Sequence, residues 1–173
     1  MRDGVPIART EDTSYTDEFA IGRHIYQVIE QLADDNYTLS NERTVILRAP
    51  YAMISPVELA AWQNLKYSLE QSPTVGESHS GTAVLVHYVG RKYPVAETSE
   101  FEDSTLTFDV AFKTQEDEKT FQALLGEIVC YKNKLGRMII GLLSGVSVES
   151  DRWYSKCSCT ISATDFQEEI EYE

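Results

Sequence analysis

The stretch "TLTFDVAF", residues 105–112, alternates cleanly. Leu106, Phe108, Val110 and Phe112 fall on one face and Thr105, Thr107 and Asp109 on the other, which is the two-residue period of a half-buried antiparallel strand. A slip of one residue would expose all four apolar side chains, so burial fixes the register. The period then changes. Thr114 stands as an N-cap before "QEDEKTFQALLG", Glu116, Asp117 and Glu118 suit the positive end of a helix dipole, and Phe121, Leu124 and Leu125 make one stripe that Gly126 ends. This predicts a short helix over about 115–125, packed by its stripe on the sheet. Beyond it, "EIVCYK", "RMIIGLLSGVSVE" and "WYSKCSCTISATDF" read as three strands joined by tight hairpins at "NKLG" and "SDR".

The same patterning is weaker upstream. Strands are expected at "VPIA", at "HIYQVIEQL" and at "YTLSNERTVIL", with a turn at residues 33–36 built from Asp34, Asp35 and Asn36. In the middle strand Ile25, Val28 and Ile29 break strict alternation, so a bulge or burial on both faces is required. Ser55, Pro56 and Glu58 are spaced as a helix start that Val57, Leu59, Ala60 and Ala61 would extend, whereas "WQNLKYSLE" suits a helix or a strand equally. "SPTVGESHSG" carries the punctuation of an exposed loop, and "TAVLVHYVG" after it is a β-rich run. The order is strands, one helix, strands. The fold class expected is all-β, mainly an antiparallel sandwich or barrel, with one short flanking helix. The tail "QEEIEYE" reads as an acidic arm or a frayed end.

Composition narrows the function. At 173 residues and 42% apolar content the chain is long enough for a real core without metals or disulfides, and it contains no apolar run near the ~20 residues of a membrane span. Its first twenty residues, with Asp3, Glu11, Asp12, Asp17 and Glu18, lack the basic start and apolar middle of a signal peptide, so synthesis in the cytosol is expected. Fifteen basic residues against 28 acidic ones give a formal charge of −13, which disfavours a nonspecific grip on nucleic acid. Such a balance serves as a solvated surface or, more sharply, as a wall past which DNA slides without sticking.

Candidate chemistry is sparse. No Gly-rich phosphate loop, G-x-S-x-G elbow or H-E-x-x-H run occurs, and no enzymatic activity is expected. The histidines are His24, His79 and His87. His87 reads as a sheet residue, and His79 sits beside Ser78 and Ser80, a sequence adjacency that does not set the geometry of a nucleophile and its base. Glu100, Glu102 and Asp103 are ordinary in so acidic a chain. Cys130, Cys157 and Cys159 are too few for a disulfide framework, and no fourth Cys or His stands at zinc spacing, so they are expected to be reduced and structural, with no metal and no cofactor. On a strand, Cys157 and Cys159 share a face with Trp153 and Ile161, opposite Lys156, Ser158 and Thr160. Arg91, Lys92 and Pro94 read as an edge-strand guard against unwanted pairing, or as a basic cluster that meets the acidic face of a neighbouring subunit.

Two resemblances organise these elements. Val5 and Ile7, a polar break, then Tyr15, Thr16 and Asp17 with Gly22 before "HIYQVIEQLADDNYTLSN" resemble the later strands of a fibronectin type III module, about forty residues of the 90 to 100 such a module needs. Residues 1–46 are therefore expected as a partial β-segment that packs on the rest or receives strands from another chain. The G-R-K-x-P-V stretch (Gly90, Arg91, Lys92, Pro94, Val95), the rise into the alternating strand, "ALLGEIVCYKNKLGRMIIGLLSGVSV" and the closing "ATDFQEEIEYE" resemble the carboxy-terminal region of bacteriophage tail and minor structural proteins, across residues 47–173. That resemblance implies a structural component of a tail or tail tip in the virion. It implies a protein that works by assembly with copies of itself and with other tail proteins. The alternative is an adhesive β-sandwich that recognises host-surface carbohydrate or protein through aromatic loops, for which ten Tyr and two Trp give material.

Overall fold

The computed structural model describes residues 1–32, 36–58, 61–65, 75–150 and 152–166, with the backbone alone at 82 and 98–101. Its body is a seven-stranded antiparallel sheet. In chain order the strands are β5 (Met53–Pro56), β6 (Gln63–Asn64), β7 (Val75–Val86), β8 (Val95–Phe112), β9 (Ile128–Lys132), β10 (Met138–Ser150) and β11 (Ser155–Ala163), laid side by side as β6-β5-β9-β10-β11-β8-β7. Earlier, β1 (Gly22–Tyr26) pairs with β4 (Arg43–Leu47), and β2 (Ile29–Gln31) with β3 (Tyr37–Leu39), as two separate two-stranded sheets. The fold is all-β with one short helix among the described residues, α1 (Gln115–Gln122).

The alternating strand takes the expected register. Leu106, Phe108 and Val110 of β8 stand opposite Ile161, Cys159 and Cys157 of β11, and all six are buried. The sheet curls on itself, because the Phe108 ring stacks at 5.0 Å on Tyr131 of β9, three strands away in the hydrogen-bonded order. Helix α1 closes the open side of that curl. Thr114 caps it by accepting from the Asp117 amide, and Phe121, fully buried, meets Phe112 at 5.2 Å and Phe108 at 6.4 Å. Gly126 follows at φ +89°, a conformation that ends helices without steric cost. Between β9 and β10 the tight turn uses buried Asn133, whose Oδ1 accepts from the Leu135 and Arg137 amides, and Gly136 at φ +83°.

Several expectations are corrected. Residues 53–56 form strand β5 on β9 and no helix starts there: Ser55 is buried opposite Cys130, and its hydroxyl bonds to the Pro56 carbonyl. Sheet pairing overrides the capping signal. "SPTVGESHSG" is no loop in its described part, because residues 75–81 belong to β7; a ladder of backbone hydrogen bonds holds Gly and Ser residues that have no apolar face to reveal them. "VPIA" makes only an isolated bridge from Val5 to Arg2. The long strands expected at 24–32 and 37–47 each break in two, at residues 27–28 and 40–42, so that β1 and β2 pair with different partners. Leu125 leaves the helical stripe for solvent, and Trp153 lies in the β10–β11 turn, exposed, instead of on the Cys157 face. The expected turn at 33–36 falls, apart from Asn36, outside the described residues, as do the further helix positions 59–60 and the tail 167–173.

Candidate assembly surfaces

Strand β11 supports β8 only as far as Thr105, opposite Ser162. From there outward β7 and β8 continue as a bare two-stranded ribbon, His79 opposite Ser104 through Val86 opposite Val95. At about 3.3 Å per residue it projects roughly 25 Å before its tip. Ribbons of two strands are marginal in water without a third strand or a packed face. This one nonetheless presents apolar side chains on both faces, with Val84 57% and Leu85 62% exposed, and Tyr88, Val89 and Tyr93 open at the tip. Its root is anchored, since Arg137 of the β9–β10 turn lies 3.2 Å from Glu77 of β7.

The basic cluster expected on an edge strand sits at this tip instead. The Arg91 guanidinium lies 6.0 Å from the Tyr88 ring and the Lys92 ammonium 5.4 Å from the Tyr93 ring. The Tyr88 hydroxyl donates to Glu97 at 2.8 Å, and that bond, followed by partial burial, raises its pKa. Within a chain of net −13 the tip is a small cationic and aromatic knob.

The outer face of the sheet body differs. Thr105, Thr107, Ser158, Thr160 and Ser162 line it across β8 and β11, together with Asp109. Lys156 lies 2.8 Å from the Asp109 carboxylate and Ser158 donates to it at 2.6 Å, and these two bonds hold the Asp109 carboxyl below the usual range. A shallow depression of about 650 Å³ runs beside them toward Gly145 and Ser147 of β10. Hydroxyl side chains from β8, β10 and β11 share its lining with Val75 and Val146.

At the other end of the sheet the amino-terminal segment folds over that outer face at Lys132. The Lys132 ammonium donates to the Glu18 carbonyl at 2.8 Å and lies 3.8 Å from the centre of the Trp62 ring. The Trp62 indole donates to the Glu18 carboxylate at 2.9 Å, while Phe19 packs on Trp62 and on Phe166. Burial lowers the Lys132 pKa. Asp17 braces the segment, accepting from Arg2 and from the Tyr26 hydroxyl, whose pKa rises to about 12 chiefly through burial and then through that bond. Beneath this clasp lies buried Cys130, its thiol pushed up by burial to about 11.

Residues considered for chemistry are not brought together. Both ring nitrogens of His24 are engaged, by Asp3 at 2.6 Å and the Ile21 carbonyl at 2.8 Å. His79 lies on the exposed ribbon 3.5 Å from Glu102, and strand geometry turns Ser78 and Ser80 to the opposite face. His87 stands just past the last paired residue of β7, exposed, and not in the sheet. The side chain of Glu100 lies outside the described set. Cys157 and Cys159 are buried free thiols, and burial raises the Cys159 pKa to about 12. Among the described residues no group of three His, Cys, Asp or Glu is placed to hold a metal ion. Among the described residues no helix is long and apolar enough to cross a membrane.

Solved structures that resemble this chain include two from gene transfer agent particles. One is from the tail of an empty gene transfer agent particle determined with C6 symmetry, at TM-score 0.48 and 9% identity, covering 67% of this chain and 91% of that one. The other is from the virion of a native gene transfer agent particle, at TM-score 0.44 and 10% identity, covering 66% and 92%. No family model and no curated protein matches the sequence.

The ribbon is what reading the sequence missed. Its one signal was length: "TAVLVHYVG" and residues 95–104 are both β-prone and flank a Gly-Arg-Lys turn, yet neither has the clean apolar alternation of a core strand.

Proposed function

We propose that the chain is a structural subunit of a bacteriophage-type tail or tail tip. It works by assembly with copies of itself and with other tail proteins, and not by chemistry. The observation that carries this reading is the bare β7–β8 ribbon, with Val84 exposed on one face and Leu85 on the other, which nothing among the described residues of its own chain covers. An exposed ribbon of that kind is a template for packing and strand pairing with a neighbour. The phage-tail resemblance of residues 90–95 falls on its tip and on the first residue of β8.

In this reading the ribbon lies across the next subunit, and the hydroxylated outer face carrying Asp109 is left toward the hydrated interior, where an acidic wall does not hold DNA. Residues 1–46 form the remnant of a fibronectin-type segment, docked on the 47–173 domain through the Glu18 clasp and not folding alone. The protein is made in the host cytoplasm and resides in the virion.

Light scattering and negative-stain microscopy of the purified chain, alone and with the products of neighbouring genes, test the reading. Rings or a defined hetero-complex are expected. A chain that stays monomeric at every concentration and with every neighbour overturns it.

A further inference from the structure

The tip of the β7–β8 ribbon departs from the usual chemistry of a turn. Val86 and Val95 are its last paired residues, and beyond them the Arg91 amide donates to the Tyr88 carbonyl at 3.2 Å, closing a β-turn with Gly90 at φ +88°. Val89 stands at the apex, fully exposed, where turns ordinarily carry Pro, Asp, Asn or Ser. Nothing among the described residues covers an apex held roughly 25 Å out from the sheet body, so the fold itself does not call for an apolar residue there. Tyr88 and Tyr93 flank it, both exposed, and each has a cation beside its ring, Arg91 and Lys92 respectively. Glu97 is the only acidic residue between positions 86 and 97, and it is engaged by the Tyr88 hydroxyl at 2.8 Å.

An apolar apex, two tyrosines beside it and two cations next to their rings match the layers of an anionic bilayer surface. Acyl chains come first, then the interface where Tyr is enriched, with phosphates that pair with Arg and Lys. A protein partner fits the tip less well. A stable protein interface buries about 800 Å² on each side, which a hairpin end this narrow supplies only if the partner encloses it on all sides. The net charge of −13 repels an anionic surface, but the ribbon holds its tip away from most of that charge. After Glu97 the acidic residues of β8 begin at residue 100, about 16 Å of strand below Val95. That is twice the ~8 Å Debye length at physiological ionic strength.

We propose that the ribbon tip is a contact for an anionic phospholipid surface. Val89 enters the acyl boundary, Tyr88 and Tyr93 lie at the headgroup level, and Arg91 and Lys92 pair with the phosphates. The chain rests on the bilayer there and does not span it. Only the tip beyond Val86 and Val95 is engaged, which leaves the shaft of the ribbon to the neighbouring subunit. One tip holds weakly, and copies joined in one particle add their holds.

The test uses the full chain with vesicles of phosphatidylglycerol mixed with phosphatidylcholine, and with vesicles of phosphatidylcholine alone. The native chain is expected to co-sediment with the anionic vesicles, half-bound at lipid on the order of 1 mM, and to be released by high salt. Arg91→Gln/Lys92→Gln should weaken binding about thirtyfold. Val89→Asp should abolish it, and urea unfolding should stay unchanged in both variants because none of these residues belongs to the core. In a Val89→Trp chain the emission of the added indole should move to the blue on anionic vesicles. No co-sedimentation at about ten times the expected lipid concentration overturns the proposal, as does equal binding to both kinds of vesicle or equal binding by the Arg91→Gln/Lys92→Gln variant. So does a blue shift without lipid that grows with protein concentration, which would give the tip to a second copy. Multimers that form without vesicle binding remove this inference alone. Vesicle binding by a chain that never multimerises removes the assembly reading and leaves the tip assignment standing.

Discussion

Replacing Val84 and Leu85 by Thr tests the ribbon directly. The two residues are adjacent on β7 and therefore face opposite sides of it, and each keeps roughly 60% of its surface open in the single chain. Full burial of such a side chain is worth about 1.5–3 kcal/mol, so covering the exposed part in a neighbour contributes about 1–2 kcal/mol apiece. The double variant forfeits about 2–4 kcal/mol of association, a weakening of roughly 30-fold to several hundredfold. Thr preserves β propensity, and neither residue belongs to the core, so folding stability should move by no more than about 0.5 kcal/mol. Sedimentation velocity across a concentration series reads the association, and urea unfolding reads the stability. The single variants show which face is covered. Association unchanged in the double variant would mean that no neighbour lies on the ribbon, and a large loss of stability would mean that its own chain already covers it.

Phe121→Ala removes the one buried side chain of a helix of eight residues, too short to persist alone; a loss of about 3–5 kcal/mol in urea unfolding is expected, with early exchange of the α1 amides. Lys132→Ala deletes both the bond to the Glu18 carbonyl and the contact with the Trp62 ring, and limited proteolysis should then cut readily between residues 20 and 50, at a stability cost of about 1–2 kcal/mol. The pKa values of Cys130 and Cys159 are raised in the folded state from 9.0 to about 11 and about 12, so the stability they confer is complete below about pH 9 and is lost as pH rises through those values. Thermal melts should fall between about pH 9 and 12, and a disulfide reagent at pH 8 should find no reactive thiol until denaturant is added; fast labelling of the native protein would contradict the burial.

Legibility followed burial. The 105–112 strand, the Thr114 cap and the Cys157/Cys159 face could be read because one side of each element enters the core and so imposes a period on the sequence. Where nothing is buried the period vanishes. "GESHS" in β7 looks like a loop because it carries no apolar side chain, although each of its residues pairs with β8. The Ser55-Pro56 signal misled for the opposite reason: the tertiary slot beside β9 decided the conformation, and local capping chemistry did not. The Glu18–Trp62–Lys132 clasp joins three remote segments, and no spacing along the chain announces it.

The ladder of the ribbon is interrupted at one place: Gly81 pairs with Glu102 and Ala83 with Thr98, so residues 99–101 of β8 lie opposite the single residue 82 of β7. An irregularity of this kind bends and twists a ribbon locally. Mechanically it is an elbow, with a rooted segment on one side and a forearm of about 20 Å on the other. Flexing that elbow by about 15° swings the cationic knob through about 5 Å, the width of one strand in a sheet. In the assembly proposed above, a subunit built this way would tolerate uneven spacing between its neighbours without disturbing its core, so that a stack of such subunits could curve while each link stays engaged.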